Sequence, residues 1–120
     1  MHNHMVVSSM NATLAALSDD TRRAILVRLK DGPASVRELA EPFRMSQQAI
    51  SKHLAYLERA RLIEKHRDGR QQICRLNAKP MQEVATWVEQ YRQYWDEAFG
   101  RLDALLHELH PPKQRSPKPR

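Results

Sequence analysis

"SVRELAEPFRMSQQAISKHLAYLERARLIEKHRDGRQQICRL", residues 35–76, changes its hydrophobic period along its length, and those changes decide the fold. Ser35 and Glu38 have capping-box spacing. They predict a two-turn helix with Val36, Leu39 and Ala40 inward, ending near Pro42. The helical pattern restarts at Ser46, a favourable N-cap, and runs to about Ala60 with Ile50, Leu54 and Leu57 as its apolar stripe. After Leu62 apolar and polar residues alternate around Asp68-Gly69, the strongest short hairpin signal in the chain. Helix, turn, helix and two-stranded hairpin is the order of a winged helix-turn-helix.

The second of these helices holds Ser51 and His53, which invite a reading as nucleophile and base. At about 100° per residue, with Gln47 at zero, Ser51 falls near roughly 40°, Ala55 near 80°, Gln48 near 100° and Lys52 near 140°. His53 falls near roughly 240°, on the flank of the apolar stripe, and residues two apart do not meet on a helix. That geometry removes the hydrolase reading and leaves a polar face. Gln bonds adenine bidentately, Ser donates or accepts, Lys reaches guanine or phosphate, and small Ala55 permits close approach, as a major-groove reader requires. Any solvated helix shows similar chemistry, so context decides. The hairpin supplies it: Lys65, His66, Arg67, Arg70 and Arg75 outweigh Glu64 and Asp68, and Arg67 and Arg70 flank the turn where a wing tip meets phosphates or a minor groove.

Upstream, residues 1–9 read as a loose arm, and "MNATLAAL" places Met10, Leu14 and Leu17 at helical spacing. Ser18, Asp19 and Asp20 supply capping chemistry and negative charge for "DDTRRAILVRLK", a helix burying Ile25, Leu26 and Leu29 and stopping at Gly32-Pro33. Downstream, Pro80 to about Leu109 reads as one long helix. Met81, Val88, Trp95, Leu102 and Leu109 form one heptad seam, and Val84, Tyr91, Ala98 and Leu105 the other, which suggests packing against a second copy. The alternative is a long helix lying across its own core. Residues 10–110 are thus expected to form one domain, and "PPKQRSPKPR" a basic disordered tail.

The 120 residues suit a single domain, and 20 Lys and Arg against 14 Asp and Glu give a net charge of +6. Four of the positives lie between Lys113 and Arg120. Subtracting them leaves residues 1–112 at +2, so an anionic partner must be sought where the charge is local. Cys74 is the single cysteine, which rules out an internal disulfide and fits a reducing, cytoplasmic setting. A packed strand cysteine is the expected role, with a thiol sensor as alternative. No apolar run approaches the ~20 residues needed to span a bilayer. The N-terminus "MHNHMVVSSM" lacks the basic and apolar regions of a signal peptide.

"LSDDTRRAILVRL" (17–29), the 35–76 stretch and the long closing helix resemble the ArsR-type winged-helix repressors of bacteria, over about residues 10–109. The resemblance implies a homodimer joined by its first and last helices that binds palindromic operators. Two recognition helices would then lie ~34 Å apart in successive major grooves. Carried over by position, Gln47, Gln48, Ser51 and Lys52 would face bases and nearby backbone, with Ser46, Arg67 and Arg70 as backbone or wing contacts. His53 joins the candidate DNA-contacting set through its alternative as a phosphate contact, a packed histidine being the expected role. The dimer set is Leu14, Leu17, Val84, Val88, Tyr91, Trp95, Leu102 and Leu105.

The chain departs from the family where members carry glycine in the turn: Arg44 stands there, so the turn either avoids positive φ or accepts strain. "SVRELAE" also lacks the third-helix cysteines of metal-sensing members. His107 and His110 have the H-x-x-H spacing of another metal site, but its upstream partners fall on Tyr94 and Asp96, and helix-end histidines are the simpler reading. Met1, His2 and His4 could capture copper, yet a bare arm lacks supporting groups. No cofactor is expected. The three glycines, at 32, 69 and 100, are too dispersed to cradle a phosphate, so no enzyme motif is found. The reading is a mainly α winged helix-turn-helix regulator, with an assembly module built on the long helix as the alternative.

Overall fold

The computed structural model describes residues 4–110, with side chains from Ser9 onward. The elements in chain order are α1 (His4–Ala16), α2 (Asp20–Lys30), β1 (Ala34–Ser35), α3 (Val36–Ala40), a 3-10 turn (Glu41–Phe43) and α4 (Gln47–Arg59). They are followed by β2 (Ile63–Asp68), β3 (Gln71–Leu76), α5 (Lys79–Glu89) and α6 (Arg92–Leu109). The tail 111–120 and the side chains of Met1, His2 and His4 lie outside the described residues.

Local chemistry starts α2, α3 and α4. The Asp19 carboxylate accepts the Arg22 N–H at 2.9 Å and caps α2. Ser35 and Glu38 form the expected capping box, each side chain accepting the other's N–H at 3.1 Å. Those bonds hold the Glu38 carboxyl below the ordinary carboxylate range. Ser46 Oγ accepts the Ala49 N–H at 3.1 Å and opens α4. Arg44, between α3 and α4, has φ 53° and ψ 35°, so the turn accepts left-handed backbone without glycine.

The buried residues follow the periodicity: Ile25, Leu26 and Leu29 from α2, Leu39 and Ala40 from α3, Ile50, Leu54 and Leu57 from α4, with Leu62, Ile63 and Cys74 from the sheet side. Arg22 joins three helices: its Nε donates to the Ala16 carbonyl at 2.8 Å, its Nη2 to the Ala15 carbonyl at 3.1 Å, and its guanidinium lies 4.1 Å from the centre of the Tyr56 ring. α1 therefore meets α2 and α4 through an arginine as well as through buried Thr13 and Ala16.

The structure corrects the sequence reading at three places. The wing has three strands, in the order β1-β3-β2, because Ala34 and Ser35 pair antiparallel with Cys74 and Ile73. α1 begins at His4, within the expected arm of residues 1–9. The long closing helix is two helices: the Gln90 and Tyr91 N–H groups bond back three residues, to Trp87 and Val88, which tightens the ladder and ends α5. By backbone contacts the chain divides into two compact units, Met1–Ala85 and Thr86–Arg120, and α6 holds no buried residue.

Candidate nucleic-acid interface

α4 is held by Ile50, Leu54 and Leu57, all 0% exposed, so its opposite face is fixed by packing. That face carries Ser46, Gln47, Gln48, Ser51 and Lys52, every one exposed. His53 is half-buried at its edge, with Nδ1 3.8 Å from Asp19 Oδ2 at the start of α2. Ser51 and His53 point to different neighbours, and the pair makes no nucleophile-base contact. The Asp19 carboxyl sits below its ordinary range, chiefly because it accepts the Arg22 N–H, with the Arg22 and His53 charges adding to the effect.

The wing's two faces are set by alternation. Register pairs Ile63 with Leu76, Lys65 with Cys74 and Arg67 with Gln72, which places these six residues on one face. Its base is core: Ile63 and Cys74 are buried. Opposite Cys74, Lys65 Nζ reaches Glu58 Oε1 of α4 at 3.4 Å. Beyond it Arg67 and Gln72 are exposed, next to the turn residues Gly69 and Arg70. Glu64, His66 and Asp68 occupy the other face of β2.

α4, α3 and the wing enclose an open groove of about 480 Å³. The structure brings Gln47, Ser51, Arg67 and Arg70 together on its walls, and adds Arg37, Gln71 and Gln72, which sequence reading missed. No acidic residue lines it. Ser46, Gln48 and Lys52 lie on the outer surface of α4 beside it.

The remaining candidates are distributed differently. Leu14 is exposed on α1, while Leu17 packs partly against the core. Val84 and Val88 on α5 are half-buried, and Tyr91 is exposed at the join with α6, its ring in edge contact with Trp87 at 5.6 Å. On α6, Trp95 is half-buried and Leu102 and Leu105 are about half exposed. Tyr94, Phe99 and Leu106 are exposed too and flank the heptad seam, widening it to an apolar band of roughly 140° at 100° per residue. His107 and His110 are exposed, and no group of three or more metal-binding side chains exists among the described residues. Cys74 is fully buried, and burial pushes its thiol pKa up, which suits the expected packed cysteine.

The family model described as "Bacterial regulatory protein, arsR family" matches residues 19–65. The chain is 39% identical over 79 residues to the transcriptional repressor SdpR of Bacillus subtilis (strain 168), covering 66% of this chain and 88% of that protein. It is 37% identical over 91 residues to the HTH-type transcriptional regulator Rv2034 of Mycobacterium tuberculosis, covering 76% and 82%. Among solved structures, an ArsR family transcriptional regulator, RHA00566, superposes with a TM-score of 0.69 at 36% identity, over 80% of this chain and 97% of that one.

Proposed function

The chain belongs to the ArsR family of bacterial regulatory proteins, and from that premise we propose that it regulates transcription as a homodimer bound to a palindromic DNA operator. The observation that carries this reading is the α4 surface. A capped, core-anchored helix presents Gln47, Gln48, Ser51 and Lys52 outward beside a groove lined by arginines. Gln47, Gln48 and Ser51 read base edges, Lys52 reaches guanine or phosphate, Ser46 contacts the backbone, and Arg67 and Arg70 bring the wing onto it. His53 serves chiefly to set the helix against Asp19. The family and its named relatives are regulators, which supports binding rather than catalysis.

The second copy is proposed from the exposed apolar residues. Leu102, Leu105 and their neighbours on α6, with Leu14 on α1, form bands that water disfavours and a two-fold partner would cover. No helix among the described residues is long and apolar enough to cross a membrane, and the cytoplasm, where DNA is accessible, is the proposed location. The exposed helix-end setting of His107 and His110 fits solvated histidines rather than a metal site, which leaves an organic effector, a protein-borne one or none.

Selection of binding sites from random duplexes by the purified full chain tests the proposal and yields the operator. An inverted repeat with half-sites about one turn apart is expected, with affinity falling steeply as salt rises. Recovery of no preferred sequence would overturn it.

A further inference from the structure

β1 changes what α3 is for. Because Ala34 and Ser35 are paired with Cys74 and Ile73, α3 leaves the sheet directly at Val36, and its first turn is fixed beside the outer end of β3. Arg37 and Glu38 are the exposed residues of that turn. Arg37 is the one that faces the wing. It lines the same groove as Arg67 and Arg70, with Gln47 and Ser51 of α4 also on its walls.

Three guanidinium groups on one groove, with no carboxylate among its lining residues, repel one another unless an anion lies between them. The nearby acids are turned elsewhere. The Glu38 carboxylate is engaged by the Ser35 N–H, and Asp68 is not among the lining residues, although its register partner Gln71 is. Arg37 takes part in no ion pair among the described residues. A guanidinium is suited to a phosphodiester because its planar fork offers two parallel donors to two oxygens.

We infer that Arg37 is a DNA-backbone contact, and that the groove between α3, α4 and the wing seats the duplex sugar-phosphate strand against Arg37, Arg67 and Arg70. This rests on the proposed operator binding and deepens it. The recognition helix is clamped on the backbone from the α3 side as well as from the wing tip. Arg37 carries no sequence information in this role, in contrast to Gln48.

The test compares the full-length wild type with Arg37→Ala and Arg37→Lys on the selected operator and on an unrelated duplex, over a range of salt. Arg37→Ala should weaken both complexes alike and reduce the slope of log affinity against log salt by about 0.9, one phosphate's share. A fourfold rise in salt then costs the variant about 3.5-fold less affinity than the wild type. Arg37→Lys should keep most of the slope, and the thermal midpoint should stay unchanged in both variants because the side chain is exposed. An unchanged slope in Arg37→Ala, or a loss confined to one of the two duplexes, overturns the inference while leaving operator binding intact. A wild type that binds neither duplex overturns both.

Discussion

One oxygen of Asp19, Oδ2, accepts the Arg22 N–H at 2.9 Å and also lies 3.8 Å from His53 Nδ1, so the cap of α2 is joined to the flank of the recognition helix. A carboxyl held below its ordinary range stabilises the fold above the unfolded-state pKa, and that contribution disappears as pH falls through the lower native value. Thermal midpoints measured from neutral pH into the acid range should therefore show Asp19→Ala less stable at neutral pH and converging on wild type below the carboxylate range. Asp19→Asn keeps a competent cap and should lose less than Ala at neutral pH. Parallel curves for Ala and wild type down to strong acid would contradict the assignment.

Leu54 is 0% exposed at the centre of α4. Leu54→Ala should cost roughly 2–5 kcal/mol in urea unfolding, from lost burial and the cavity left behind. DNA binding should fall with it, because the same stripe that fills the core aims the opposite face.

Gln48 and Lys52 are exposed on that face, so replacing them should leave unfolding unaffected. Gln48→Ala should relax the preference at one operator position by about 1–3 kcal/mol of discrimination. Lys52→Ala should lower affinity, with selection on the variant showing whether guanine or phosphate is its target. Loss of folding in either variant would show that the face is structural.

Arg44 adopts left-handed backbone, which costs a non-glycine residue about 1–2 kcal/mol, whereas glycine gives back about 0.5–1 kcal/mol through unfolded-state freedom. Arg44→Gly should thus raise stability by up to about 1 kcal/mol in denaturant titration, and Arg44→Val should lower it.

Leu102 and Leu105 are half exposed on α6. Placing a charge there, as Leu102→Glu, should shift the mass in solution from about twice 14.0 kDa to 14.0 kDa and weaken operator binding, since two half-sites would no longer be held together. A wild type that already sediments as a monomer would refute the dimer.

Where the residues acted locally, the sequence was readable. The Ser35-Glu38 box and the α4 stripe depend on neighbours within a few positions, and both are present in the structure; the hairpin is present too, but its two-residue turn falls one position on, at Gly69-Arg70, because Asp68 still pairs with Gln71. β1 was not readable, because two residues become a strand only by pairing with Cys74 and Ile73, about forty positions away. Arg37 was missed for the same reason: on a five-residue helix it looks like any exposed arginine until β1 sets it beside the wing. The join at Gln90-Tyr91 has neither proline nor glycine, and the heptad pattern runs through it unbroken, so periodicity predicted one helix where there are two.

The pairing of Arg67 with Gln72 has a consequence for how this wing tolerates change. Strand faces alternate, so adding or deleting one residue between Ile63 and Arg67 would rotate the outer wing by half a turn about its axis. Arg67 would leave the groove; after a deletion Asp68 would stand at its register position, and after an insertion before His66 that histidine would. The length of the chain would hardly alter, yet the wing would offer an anion an acid or a histidine where an arginine now stands.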